Sequence, residues 1–259
     1  MMSNIRIQLL NIINRDAVDS TNFIIAKYIL ECLEQTKVVT TQELAINCNV
    51  SKSSISRFCR KIGYEDFMEL QIAVASYNSY LNERFPYTQM QDMKSVVQNY
   101  LISTKNIVEY MEAHIDIKVL NEIIDHIHDY ERVILMGHVQ SSFPAFSLQH
   151  YLTILHKFVY TTQDLNEQKE MLETLDENNL VIIFSAGGKF FERVIERVSV
   201  MNRKNIPRIY EITANKATHY PFVYQTVELW DTFDYSSSIV LGMYSNLIAL
   251  GYRTKYEEN

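Results

Sequence analysis

Between Ser51 and Lys61 (SKSSISRFCRK) the chain carries four cations and no acid. On a helix advancing roughly 100° per residue, Ile55, Phe58 and Ile62 form one apolar stripe, with Cys59 on its flank. Ser53, Arg57 and Arg60 fall nearly opposite. Lys52 and Ser56 border them on one side and Lys61 on the other, and Ser54 adds a hydroxyl. Guanidinium and ammonium groups suit phosphates and guanine edges, and hydroxyls reach either phosphates or bases. The chemistry implied is contact with double-stranded DNA through Lys52, Ser53, Ser54, Ser56, Arg57, Arg60 and Lys61. An ordinary solvated amphipathic helix has the same apolar spacing, so the flanking residues must carry the distinction.

Those residues spell two helices joined by a tight turn. Thr40 and Glu43 have capping-box spacing, and Leu44 and Cys48 face inward together. Ala45 is small enough to let a second helix cross closely. Asn49 sits where the turn needs a left-handed residue, which Asn tolerates. Val50 plugs the turn, Ser51 or Ser53 caps the second helix, and Gly63 ends it. Ile5, Leu9, Ile12 and Ile13 predict an earlier helix, and Phe23–Leu30 another, introduced by Ser20 or Thr21. Asp66 opens a further one running through Phe67, Leu70 and Val74 to Tyr77. Residues 1–80 thus read as an all-helical, helix-turn-helix domain. They hold eight basic and eight acidic residues, while the whole chain stands at −7. A basic surface must therefore be local, and this one is.

A second chemistry is written in two small polar segments. Gly137-His138-Val139-Gln140-Ser141-Ser142 follows the apolar run RVILM, and Ser185-Ala186-Gly187-Gly188-Lys189 follows LVIIF. Each reads as a strand, a loop and a helix start, where backbone N–H groups and hydroxyls suit an anion. Tight turns and caps would use the same residues. The candidate ligand contacts are Gly137, His138, Ser141, Ser142, Ser185, Gly187, Gly188 and Lys189. The elements that must position them begin after a polar linker, 81–92, built around Pro86. Helices are expected from Met93 to about Ala113 and over Ile117–His128. Strands are expected at Arg132–Met136, Lys157–Tyr160, Leu180–Ser185, Arg208–Thr213 and Thr226–Trp230. Between and after them come helices at Ala145–Leu155, Leu165–Leu175, from after Gly188 to about Arg203, and at Ser236–Tyr252. Short apolar strands alternating with helices imply an α/β domain over 93–259, its mostly parallel sheet covered on both faces. Ligands of such sheets bind beyond the C-terminal strand ends.

Composition narrows the classes. No apolar run approaches the roughly 20 residues of a membrane span, and no basic segment leads into an apolar stretch and cleavage site, so a cytoplasmic location is expected. Cys32, Cys48 and Cys59 occupy apolar helical positions without metal-ligand spacing, the pattern of buried free thiols in a reducing compartment. No ligand spacing recurs among the seven histidines, so neither a metal nor another cofactor is expected. An isomerase would need a positioned base. His138 and His219 reach the strand-end region, but neither has an identifiable partner in the sequence. His126, His128 and His150 read as helix-surface or packed residues.

On these motifs the chain resembles RpiR-type transcriptional regulators, which join a helix-turn-helix to a SIS (sugar isomerase) domain that senses phosphosugars. VSKSSISRFCRKIGY is similar to the recognition-helix signature of that family almost throughout. Its first strand-end loop reads G-x-G-x-S, and Gly137 and Ser141 match, with Val139 at the second glycine. Its second reads S-x-S-G-x-T-x-E, and Ser185, Gly188 and Glu192 match. Gly187 stands for the second serine and Phe190 for the threonine. These changes remove two hydroxyl donors and add an apolar ring on which a less polar ligand could stack, so common hexose phosphates should bind weakly. The resemblance implies a non-enzymatic regulator that binds operator DNA as a homodimer or higher even oligomer and responds to a small anionic effector, such as a phosphosugar. The alternatives are a SIS-type isomerase with an accessory helical domain, and a regulator with a decayed pocket.

Overall fold

The computed structural model describes residues 5–34, 40–74, 92–194, 205–231 and 236–257. The chain divides into two compact units, Met1–Pro86 and Tyr87–Asn259, and each has its own apolar core. Most of the expected linker, including Pro86, and the end of the helix expected to reach Tyr77 lie outside the described residues.

The first unit is helical. It comprises α1 (Ile5–Arg15), α2 (Thr21–Glu34), α3 (Thr41–Asn47), α4 (Lys52–Lys61) and α5 (67–74). Short polar side chains start α2, α3, α4 and α5. The Ser20 hydroxyl accepts from Phe23 N at 3.1 Å, and Asp66 accepts from Glu69 N at 2.9 Å. Thr40 and Glu43 form the reciprocal capping box. Ile5, Leu9, Ile25, Ile29, Leu44, Ile55, Phe58 and Leu70 close the core, each fully buried large side chain contributing about 1.5–3 kcal/mol. Cys59, expected on the flank of its helix, is fully buried beside Phe58, so the inward stripe of α4 is wider than the wheel implies.

The second unit opens with α6 (Met93–His114) and α7 (Ile117–Asp129). Asp92, expected to end the linker, instead caps α6 by accepting from Ser95 N at 2.9 Å. There follow β1 (Arg132–Gly137), α8 (Ser142–Ile154), β2 (Tyr160–Thr161), α9 (Leu165–Thr174), β3 (Asn179–Ser185), α10 (Phe190–Val194), β4 (Arg208–Thr213), β5 (Gln225–Glu228) and α11 (Ser237–Tyr256). The strands form one sheet in the order β2-β1-β3-β4-β5, every pairing parallel. Strand alternation feeds two cores. Val133, Leu135, Leu180, Ile182, Phe184, Tyr210 and Ile212 face α6, α7, α8 and α11, while Ile134, Met136, Val181, Ile183 and Ile209 face α9 and α10. The chain leaves β1 toward β2 and then crosses back to β3. The connections after β1 and β3 therefore leave in opposite directions, the reversal of strand order beside which open parallel sheets commonly bind ligands.

Several boundaries differ from expectation, for physical reasons. The strand expected at Lys157–Tyr160 is only Tyr160–Thr161. His156 takes φ 56°, and Lys157 N donates to Leu152 O at 2.8 Å, a left-handed termination that still belongs to α8. Helix α8 starts three residues earlier than expected, because Pro144 lies in its first turn, where no N–H is needed. Helix α11 runs on to Tyr256, whose ring stacks on His128 of α7 at 3.8 Å between centroids. The strand expected at Thr226–Trp230 is Gln225–Glu228. No helix among the described residues is long and apolar enough to cross a membrane.

Candidate functional sites

The first site is the outer face of α4. Asn49 adopts φ 51°, the left-handed turn conformation anticipated for it. Ser51 caps α4 by accepting from Ser54 N at 3.2 Å. At the other end Gly63 has φ 89°, Gly63 N donates to Arg60 O and Tyr64 N donates to Cys59 O. That is a Schellman stop. Turn, cap and stop fix which side of α4 faces outward. Lys52, Ser53, Ser56, Arg57, Arg60 and Lys61 are exposed there, and Ser54 is half-buried. Ser54 Oγ accepts from Arg57 Nη2 at 3.3 Å, holding that guanidinium against the first turn. Lys61 is different from its neighbours: its ammonium lies 2.7 Å from Asp16 Oδ2. The Lys61 bond, followed by one from Asn22, holds the Asp16 carboxyl below its ordinary range. Lys61 thus fastens α4 to the α1–α2 turn. The thiols here are inert, since burial pushes Cys48 and Cys59 each up to about 11.

The second site lies at the ends of β1 and β3, and the structure brings its two loops into contact. The Ser141 hydroxyl accepts from Ala186 N at 2.8 Å. It makes no cap bond to its own helix α8. Gly137 permits this closeness, because a Cβ there would stand 2.1 Å from Ser141 O. Gly188, at φ 64°, lies against the loop after β4, where a Cβ would meet Lys216 O at 2.5 Å. His138, Ser141, Ser142 and Ser185 are all buried, Gly188 is buried, Gly187 is half-buried and Lys189 is exposed. Phe190, expected as a surface for a less polar ligand, instead sits in the α9–α10 core, edge-on to Phe191 at 5.5 Å between centroids. His219 is exposed with Nε2 3.7 Å from Glu228 Oε1, a partner that its sequence position did not reveal. Among the described residues no group of three or more His, Cys, Asp or Glu side chains is placed to hold a metal.

Three contributors were missed. Gln168 is fully buried on α9 and donates to Gly137 O at 2.9 Å and Thr162 O at 2.6 Å, tying β1 to the loop after β2. The loop after β4 is part of the assembly, for Ala214 N donates to Ser185 O at 3.3 Å and Thr218 Oγ1 to Glu192 at 3.2 Å. Glu211 is fully buried within β4. The last was legible in principle: it is the one acid inside the apolar run IYEIT.

Residues 7–80 match the helix-turn-helix domain of the rpiR family. The chain is 24% identical over 196 residues to an uncharacterized HTH-type transcriptional regulator of Providencia stuartii, covering 72% of this chain and 67% of that one. It is 24% identical over 208 residues to the HTH-type transcriptional regulator GlvR of Bacillus subtilis, covering 78% and 75% respectively. Among solved structures it is similar to the Vibrio vulnificus NanR protein complexed with ManNAc-6P, with a TM-score of 0.51, 18% identity and coverage of 98% of this chain and 92% of that one. That likeness is one of fold.

Proposed function

We propose, for a transcriptional regulator whose N-terminal unit is a helix-turn-helix domain of the rpiR family, that α4 reads operator DNA and that the strand-end loops of the second unit take a small anionic effector. The observation that carries the first part is the outward face of α4, where Lys52, Ser53, Ser56, Arg57 and Arg60 are exposed together on a helix fixed by Asn49, Ser51 and Gly63. Arg57 and Arg60 are the base- or phosphate-reading groups, and Lys52 and the serines position the helix on the backbone. Lys61 contributes less, since Asp16 already neutralises it.

The effector reading rests on two loops meeting at the reversal of strand order, where open parallel sheets hold their ligands. The backbone around Gly187–Lys189 and the Ser185 hydroxyl supply donors, and Lys189 supplies charge. Ser141 serves as the clamp between loops. The chain acts as a homodimer on paired half-sites about one helical turn apart or a multiple of it. Effector binding changes affinity for that pair by favouring one of two states. No reaction is assigned to it.

Sequencing the genomic fragments retained by the purified protein tests the DNA reading. Enrichment of a pseudo-palindrome supports it, and retention without sequence preference refutes it. Calorimetric titration with sugar phosphates and their uncharged parents tests the effector reading.

A further inference from the structure

The acid inside β4 bears directly on the second site. Glu211 is fully enclosed, and neither of its carboxyl oxygens has a hydrogen-bond partner among the described residues. A carboxylate buried in this way is costly, and the usual outcome is a carboxyl that keeps its proton. Pairing of β3 with β4 sets Ile183 opposite Glu211 and Ser185 opposite Thr213. Alternation then puts Glu211 and Ser185 on the same face of the sheet, diagonal neighbours. The Ser185 side chain is near enough to favour the ionised carboxyl, although the two do not close a hydrogen bond as they stand.

The surroundings oppose ionisation. Glu192 from α10 and Glu228 from β5 both act against it, and Tyr220 of the β4–β5 crossover feels the same charge. Ile183, Ile209, Phe190 and Phe191 make the rest of that face apolar. Lys189 and Lys216, on the loops beyond, are exposed and do not offset it. Burial first, then the two acids, push Glu211 up to about 7.

We propose that Glu211 governs, through Ser185, which charge the strand-end loops accept, so that an anion enters this site together with a proton. With Glu211 ionised, the Ser185 O–H turns toward the carboxylate and presents lone pairs to the ligand. With Glu211 protonated, the carboxyl donates to Ser185 Oγ and frees the hydroxyl to donate to an anion. The proton comes from solvent and stays on Glu211, and no covalent bond changes. Glu211 is a positioning residue, since it acts only through Ser185. This inference rests on the reading of the two loops as an anion site.

Inorganic sulfate is the suitable probe, because it stays a dianion across the range in which Glu211 titrates. Its binding is measured by calorimetry from pH 5.5 to 8.5, in two buffers of different ionisation enthalpy, on the intact chain. The wild type should lose up to about tenfold in affinity per pH unit above about 7 and take up close to one proton at pH 8. Glu211→Gln keeps a donor for Ser185 and should bind sulfate at all pH values alike, about tenfold tighter than wild type at pH 8. Ser185→Ala should bind more weakly and without the pH dependence, and with the wild-type proton count it carries the test if the glutamine variant does not fold. Wild-type binding that is flat with pH and takes up no proton overturns the role of Glu211 while leaving the anion site standing. Absence of sulfate binding in all three proteins at every pH overturns the anion site, and this inference with it.

Discussion

The two candidate sites use their polar residues in opposite ways. Around α4 the residues that hold the structure (Asn49, Ser51 and Gly63 at its ends, Ile55 and Phe58 inside) and those proposed to meet a partner (Lys52, Ser53, Ser56, Arg57, Arg60, all exposed) are separate sets. At the strand ends the sets overlap. Ser141, a proposed ligand contact, is also the acceptor that satisfies a buried amide of the facing loop. Outward side chains on α4 can change without cost to the fold, whereas the interlocked strand-end loops cannot. Substitutions in the second unit should therefore act first on stability, and those of Arg57 and Arg60 on binding alone.

The largest effect should come from Gly137→Ala. A methyl group 2.1 Å from the Ser141 carbonyl oxygen forces backbone apart, and overpacking of this kind costs about 3 kcal/mol or more. Chemical denaturation should show the loss in the second unit, with the Ser141–Ala186 contact broken. An unchanged midpoint would mean that the two loops are not held together as described.

Glu211→Gln should come next, with the opposite sign. A carboxyl whose folded value is about 7, above its ordinary 4.5, binds more protons folded than unfolded between those values. Wild-type stability must then fall as pH rises from about 4.5 to about 7 and level off beyond. The glutamine variant lacks this decline. At pH 8 it should be the more stable by on the order of 3 kcal/mol, and near pH 4.5 the two should be alike. Parallel stability curves from pH 4 to 8 would show that Glu211 is not the buried acid of the domain.

On α4, Arg57→Ala and Arg60→Ala should each weaken operator binding by about 1–3 kcal/mol where a base contact is lost. A lost phosphate contact would instead weaken all sequences and flatten the salt dependence. Helicity and melting should not move. A fall in melting temperature matching the loss of binding would erase the contrast between the two sites. The smallest effect belongs to Lys61→Ala. Its pairing with Asp16 is partly exposed, so no more than about 1 kcal/mol of stability is expected, with less effect on DNA binding than either arginine substitution.

The helical unit was largely readable in the sequence because its signals are local. A capping box spanning four residues, a left-handed Asn and a glycine stop each act within one turn, and the apolar stripe of α4 has the helical period. The strands were readable as apolar runs for the same reason, and Arg208–Thr213 falls where it was expected. What the sequence concealed depends on contacts between distant segments. Nothing near Ser141 announces that its hydroxyl also accepts from Ala186, 45 residues on. Phe190 looked like part of a pocket mouth because the core that takes its ring comes from α9, β3 and β4. Gln168 reads as a surface helix residue until Gly137 and Thr162 are placed beside it.

The two glycine approaches also say where this site was open to change over its history. Any side chain at 137 would strike the Ser141 carbonyl, and any at 188 would strike the Lys216 carbonyl in a backbone region closed to most residues. Drift is blocked at those two positions whatever ligand is bound. It is from positions 139, 187 and 190 that the chain departs from the loop patterns it otherwise resembles. Gly137 and Gly188 thus answer to geometry whatever the site holds, and Phe190 answers to the core in which its ring is packed.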